Sequence, residues 1–129
     1  MMLRVSFAAV LAVIALLFSS LALADAPPLK AAGGLLVDAK GMTVYTYDKD
    51  EAGSGKSSCV ALCARNWPPV QAPAGTLAEP WSIITREDGS KQLAHRGKPL
   101  YTFIKDKKAG DKTGDKVGDA WHVVEVPAR

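Results

Sequence analysis

The chain lacks every short motif that marks a common catalytic or nucleotide-binding site. It contains no Gly-x-Ser-x-Gly, no Walker loop, no His-Glu-x-x-His and no Gly-x-Gly-x-x-Gly. A catalytic triad can be assembled from distant residues, so these absences lower the expectation of an enzyme without removing it. The sequence offers no candidate catalytic residue and no cofactor, and it favours a non-enzymatic protein.

Metal-ligating residues are also scarce. His95 and His122 are the two histidines, and no His-x-His, His-x-x-x-His or methionine-rich run occurs. A structural zinc site uses four ligands at short spacings. We therefore predict no metal site. The alternative, a metal-binding accessory protein, would use the histidines with Met42 or reduced cysteines.

Cysteine is limited to Cys59 and Cys63. In an exported chain an even count favours a disulfide. Residues four apart on a regular helix do not meet disulfide geometry, so a turn or a distorted helical turn is expected here. The spacing is not the Cys-x-x-Cys of thioredoxin-like proteins, and no βαβ pattern surrounds it. A thiol-redox accessory function is kept as an alternative to the structural disulfide.

A strong excess of one charge is absent. Sixteen Lys and Arg residues stand against 13 Asp and Glu residues, and the formal net charge is +3. The basic residues are scattered among acidic ones. The sequence therefore argues against nucleic acid or an anionic membrane surface as a partner.

Long apolar runs are missing beyond the first 24 residues. One basic residue, an apolar stretch over 5–18 and an Ala-x-Ala pattern ending at Ala24 are typical of a secretory signal peptide. We predict cleavage after Ala24, a single domain over 25–129, and a soluble periplasmic or secreted protein with no membrane span after cleavage.

The chain does contain an internal repeat. Gly41-Met-Thr-Val-Tyr-Thr-Tyr-Asp-Lys-Asp50 returns 56 residues later as Gly97-Lys-Pro-Leu-Tyr-Thr-Phe-Ile-Lys-Asp106. A second pair of matching residues, Trp67 and Trp121, follows the two segments at an offset of 54. The repeats are placed at about 34–70 and 90–126. Two copies of one unit predict pseudo-twofold symmetry.

Short β-branched and aromatic runs separated by turn residues predict a mainly β protein with little helix. The expected fold is a small antiparallel β-domain built from the two repeats, either a sandwich or a partly closed barrel. Residues 25–32 are expected to be a flexible lead-in, and 61–66 a helical turn stopped by Pro68. The predicted strands are 35–37, 42–47, 82–86, 91–95, 99–103 and 120–126, with turns at Lys40–Gly41, Asp88–Gly89 and Arg96–Gly97.

These features resemble the bacterial secreted repeat proteins described as predicted lipoproteins with a Yx(F/W/Y)xxD motif. Both Tyr45-Thr-Tyr-Asp-Lys-Asp50 and Tyr101-Thr-Phe-Ile-Lys-Asp106 fit the motif. The flanking segments Cys63-Ala-Arg-Asn-Trp-Pro-Pro69 and Trp121-His-Val-Val124 also look like that family. The resemblance implies an exported repeat protein without an assigned activity. It implies no lipid anchor here, because no cysteine lies at the predicted cleavage site.

The motif residues are the candidate site. Aromatic residues two apart on a strand share one face. They either fill the core, with the aspartates capping the following loops, or line a ligand groove with a carboxylate at its rim. The candidate binding residues are Tyr45, Tyr47, Asp50, Tyr101, Phe103, Asp106, His95 and His122.

The sequence thus favours an exported binding or interaction module whose partner is an unknown small molecule or an envelope protein. The alternatives are the metal or thiol-redox accessory protein and a purely structural envelope protein.

Overall fold

A computed structural model of the protein describes residues 27–126. The predicted signal peptide, 1–24, and its cut after Ala24 lie outside the described residues. The elements are β1 Lys30–Ala32, β2 Leu35–Val37, β3 Tyr45–Tyr47, α1 Leu62–Asn66, β4 Trp81–Thr85, β5 Lys91–His95, β6 Lys98–Pro99 and β7 Trp121–Val123. This confirms the mainly β prediction. No helix within 27–126 is long and apolar enough to cross a membrane.

The strands form three small antiparallel sheets, β1-β2, β3-β7 and β4-β5-β6. Turn chemistry sets the predicted hairpins. The Asp38 carboxylate accepts hydrogen bonds from the backbone amides of Lys40 and Met42, both at 2.9 Å, and Gly41 has a φ of 83°. In the β4–β5 hairpin Asp88 accepts the amide of Ser90. Short polar side chains that fold back on the backbone therefore close these turns.

The first strand contradicts the predicted flexible lead-in. Lys30–Ala32 forms β1 and pairs along β2, with a turn at Gly33–Gly34 between them. Lys-Ala-Ala carries no β-branched or aromatic residue, so the strand has no signal of its own. Pairing with the apolar β2 decides its conformation, as tertiary context often overrides strand propensity.

Three other strands are shorter than predicted. Residues 42–47 yield β3 only from Tyr45, 99–103 yield only the end of β6, and 120–126 yield β7 over Trp121–Val123. The chain still pairs beyond these limits, but through single bridges, such as Val37 with Thr43 and Leu35 with Glu125. Each extended segment therefore passes from one neighbour to another instead of running along one partner.

The two repeats are interleaved. β3 of the first repeat pairs with β7 of the second, with Tyr45 opposite Val123. The pseudo-twofold counterpart of this pairing is the bridge between Tyr101 of the second repeat and Pro69 of the first. Between them, Tyr45 and Tyr101 bond each other through both backbone amides, at 2.7 and 3.0 Å. The pseudo-twofold axis passes through this reciprocal pair, and each repeat completes the other's sheet.

One register differs from the uninterrupted 56-residue offset. The Val44 amide bonds the Leu36 carbonyl, and the Leu100 amide bonds the Leu93 carbonyl. Leu93 is therefore the structural counterpart of Leu36, not of Val37, whereas Val44 and Leu100 keep the 56-residue offset. The turn of the first repeat is one residue longer.

Two apolar clusters lie on the pseudo-twofold axis. One contains the matched pairs Leu36 with Leu93 and Val44 with Leu100. The other consists of aromatic residues and Cys59. Each cluster draws on both repeats, so neither repeat has a core of its own.

The interleaving predicts that an isolated repeat does not fold. A fragment of residues 25–75 should give the circular dichroism and amide spectrum of an unfolded chain, because β7, the partner of β3, and half of each apolar cluster lie in the other repeat. Mixing it with a 76–129 fragment should restore the near-ultraviolet tryptophan signal. Cooperative thermal unfolding of either fragment alone would contradict the exchange of strands between repeats.

Candidate functional site

The hydroxyl of each motif tyrosine bonds the motif aspartate of the opposite repeat. Tyr45 Oη donates to Asp106 Oδ2, and Tyr101 Oη donates to Asp50 Oδ2, both at 2.6 Å. All four residues are buried, and the two tyrosines have no exposed surface. The second oxygen of each carboxylate accepts loop donors, namely the Ser58 amide for Asp50, and the Thr113 amide and hydroxyl for Asp106.

This environment changes the acidity of the phenols. Burial, and then the hydrogen bond to Asp106, raise the pKa of Tyr45 well above its ordinary value. Burial and the bond to Asp50 do the same to the pKa of Tyr101. A phenolate beside a buried carboxylate would place two like charges together without water. The tyrosines are therefore fixed as neutral donors.

Four rings form one continuous stack beside these pairs. The central tryptophans, Trp67 and Trp121, lie 3.8 Å apart with planes 2° from parallel. Phe103 stacks on Trp67 at 3.9 Å, and Tyr47 stacks on Trp121 at 4.1 Å. The order of the rings in the stack obeys the pseudo-twofold symmetry, since Tyr47 is the counterpart of Phe103 and Trp67 is the counterpart of Trp121. Stacking of this kind adds to the burial energy of the rings.

Gly114 is required where the second loop crosses the stack. A Cβ at this position would lie 2.7 Å from the Trp67 ring and 2.9 Å from the Phe103 ring. Its amide donates to Tyr45 Oη at 3.1 Å. The loop backbone therefore closes over the stack and supports the hydroxyl in the same place.

The remaining candidate residues lie outside this core. Tyr47 is half-buried at the end of the stack. His122 Nε2 lies 2.8 Å from Asp48 Oδ2 on the surface, where both side chains are about half exposed. His95 packs on Trp81, and burial followed by the charge of Arg96 lowers its pKa. The structure thus brings the motif tyrosines and aspartates together and leaves the histidines at its periphery.

A buried cation, Arg86, completes the site formed by Tyr101 and Asp50. Arg86 donates through Nη1 to Ser57 Oγ and Gln92 Oε1 and through Nη2 to the Cys59 carbonyl, at 2.6–2.9 Å. Ser57 Oγ in turn lies 2.6 Å from Tyr101 Oη. A chain of hydrogen bonds therefore links the guanidinium to the carboxylate that Tyr101 holds.

Cys59 and Cys63 form the predicted disulfide, with Cα atoms 5.2 Å apart. Cys59 precedes α1 and Cys63 lies in its first turn, and Ala61 between them has φ 55°. The expected distorted turn is present. With both sulfurs bonded to each other, neither is a thiolate ligand for a metal, and no group of three His, Cys, Asp or Glu side chains within 27–126 is placed to hold one.

The disulfide loop carries the most exposed large apolar side chain among residues 27–126. Leu62 is 67% exposed and Val60 is 42% exposed. Two clefts flank the loop, and Val60 and Arg86 line both. One is about 290 Å³ and extends to Asp88 and the other is about 470 Å³ and extends to Lys56. The loop is therefore an apolar protrusion between two polar-edged clefts.

A comparison with protein families gives two matches along the chain. Residues 29–71 and 82–125 each match a family described as a secreted repeat of unknown function. The chain belongs to this family. No curated protein and no solved structure matches it. In this secreted repeat the matched segments take in the β1–β2 and β4–β5 hairpins as well as the motifs.

Sequence reasoning did not find the residues that complete the two sites. Arg86 and Gln92 lie in predicted strands, and no motif in the sequence marks Ser57, Thr113 or Gly114. A signal existed for one of them, because Thr113 lies 56 positions after Ser57, the same offset that relates the motifs.

The two tyrosine–aspartate hydrogen bonds between the repeats, here called the crossed pairs, predict that removing one hydroxyl oxygen lowers the stability of the fold strongly. Tyr45→Phe should lower the free energy of unfolding by about 1.5–3 kcal/mol, because it leaves a buried carboxylate oxygen of Asp106 short of its donor. Urea titration would measure the loss. Tyr47→Phe is the matched control, since within 27–126 no hydrogen bond of its hydroxyl is present and a change within about 0.5 kcal/mol is expected. Equal effects of the two substitutions would contradict the assigned role of the pair.

The raised phenol pKa values predict a loss of stability in alkali. Unfolded tyrosines ionise near pH 10, whereas the buried ones stay protonated. Stability is therefore complete below about pH 10 and falls above it, by about 1.4 kcal/mol per pH unit for each tyrosine. Urea titrations between about pH 9 and 11 would measure the slope. Tyr45→Phe should reduce the slope by one tyrosine's share, and an unchanged slope would refute the assignment.

Proposed function

We propose that this secreted repeat is a non-enzymatic interaction module that acts in the periplasm or outside the cell and binds an envelope protein. The observation that carries the proposal is the division between its core and its surface. The polar groups of the motif bond one another inside the fold. Of the four large apolar side chains that are exposed among residues 27–126, two, Val60 and Leu62, lie together on the disulfide loop.

The loop is fixed before any partner arrives. Its two ends are joined by the Cys59–Cys63 bond, and the Cys59 carbonyl accepts the Arg86 guanidinium at 2.6 Å. A rigid loop loses little conformational entropy on binding, which favours affinity. An exposed apolar cluster with a polar surround is typical of a protein contact.

The shape of this surface favours a protein over a small molecule. Leu62 projects from the fold, and a small ligand gains most of its affinity from enclosure in a concave pocket. A binding groove between the motif strands would use Tyr45 and Tyr101, and both rings are fully buried in the present conformation. The loop is accessible without any rearrangement.

The proposal predicts a selective loss of binding when the loop becomes polar. The full mature chain would be immobilised and exposed to envelope extract from its host, and retained proteins would be identified by mass spectrometry. Leu62→Ser should reduce the retention of a bound partner by at least about tenfold, because the exposed Leu62 side chain would supply its contact. The near-ultraviolet spectrum should stay unchanged, since Leu62 packs on no core cluster.

Ile104→Ser is the matched control. Ile104 is 50% exposed and lies on the strand-end loop of the second repeat, so the substitution removes similar apolar surface from another place. A protein retained by the wild type and by Ile104→Ser but lost by Leu62→Ser supports the proposal. Retention of the same proteins by all three chains would refute it and would favour a purely structural envelope protein.

A further inference from the structure

The outer edge of β4 is open. At the closing turn the Arg86 amide donates to the Ser90 carbonyl, and at the other end the Arg96 amide donates to the Pro80 carbonyl. Backbone groups in an antiparallel strand alternate between its two sides. Residues 80, 82, 84 and 86 therefore face β5, and the backbone groups of Trp81, Ile83 and Thr85 point away from it.

The outward groups include two amides without a partner in the described chain. The Trp81 amide bonds the Ala78 carbonyl. The backbone amides and carbonyls of Ile83 and Thr85 point away from β5, and no other segment within 27–126 forms a hydrogen bond with them. Exposed edges of this kind are templates for pairing with another chain.

The equivalent edge in the first repeat is protected. β1 spans only three residues, begins with a lysine, and directs the groups of one residue, Ala31, outward. A short strand with a charged end discourages edge pairing. β4 spans five residues, Trp-Ser-Ile-Ile-Thr, and contains no charge. The two repeats thus share the strand position but differ in the protection of its edge.

We propose that β4 is a self-association surface, on which a second copy of this chain adds its own β4 antiparallel about a twofold axis. The strand is suited to itself. With the axis beside Ile84, Ile83 of each copy faces Thr85 of the other, and both residues exchange two backbone hydrogen bonds. β-branched pairs across strands are favourable, and the lack of charge on β4 means that no like charges oppose each other.

The pairing joins two three-stranded sheets into one of six strands. It uses four backbone hydrogen bonds and a short contact, which places it among small and weak interfaces. The dimer is therefore expected in the micromolar to millimolar range of protein concentration. It uses no residue of the Cys59–Cys63 loop for pairing and does not depend on the partner proposed above.

Sedimentation velocity of the mature chain from about 10 µM to 1 mM tests the proposal. The wild type should shift from monomer to dimer as concentration rises. Thr85→Pro removes one outward amide per copy and leaves the β4–β5 ladder intact, because that amide does not face β5. It should raise the dimer dissociation constant by at least about tenfold.

Ala31→Pro is the matched control, because it makes the same change at the outward position of the protected edge. It should leave the dissociation constant unchanged. Thr85→Lys serves as a second variant, since Thr85 is exposed and a lysine there adds like charges near the axis. It also faces Lys91 of its own hairpin, so its folding is checked separately. Near-ultraviolet circular dichroism reports folding in each case.

The outcomes separate the edge from other surfaces. Loss of dimer in both Thr85 variants and its retention in Ala31→Pro support the assignment. A wild type that stays monomeric at about 1 mM overturns it. A dimer that persists in folded Thr85→Lys also overturns it, because association would then use another face.

Discussion

The exchange of hydrogen bonds between Tyr45 and Asp106 and between Tyr101 and Asp50 is the constraint on which the rest of the fold depends. A buried carboxylate is costly unless donors satisfy its oxygens. Here one donor always comes from the other repeat. Breaking these two bonds inside the fold would therefore leave one oxygen of each buried carboxylate without its tyrosine donor, although the other oxygen keeps its loop donors. This accounts physically for a motif that joins a tyrosine to an aspartate five positions later.

The symmetry that this exchange imposes is kept in the core and lost at the surface. The ring stack and the apolar cluster around Leu36 and Leu93 obey the pseudo-twofold symmetry almost residue by residue. The loops after the two motifs differ. The first is joined by a disulfide and anchored by Arg86, whereas in the second Asp115 accepts the Val123 amide. Features that one repeat has and the other lacks are not needed for the shared fold, and they are the places where a specific activity can be sought.

The sequence was informative where local chemistry decides structure. The Asp-Gly turn located the β4–β5 hairpin, and the repeat offset located both motif strands. It did not predict that each tyrosine bonds the aspartate of the other repeat, because each motif holds a tyrosine and an aspartate that could equally bond within one repeat. It also missed β1, whose Lys-Ala-Ala becomes a strand only through β2. Arg86 was hidden for a similar reason, since its acceptors Ser57, Cys59 and Gln92 are brought together by the fold.

The difference between β1 and β4 follows from the same division. Both strands flank the core at equivalent positions, and neither contributes to the crossed pairs, so the fold tolerates changes in their length and composition. In the first repeat the strand is short and begins with a charge. In the second it is longer and uncharged, although an exposed edge of that kind favours association with another strand. Retaining it in a secreted chain is costly unless the edge is used, and that reasoning links the open edge of β4 to a partner strand.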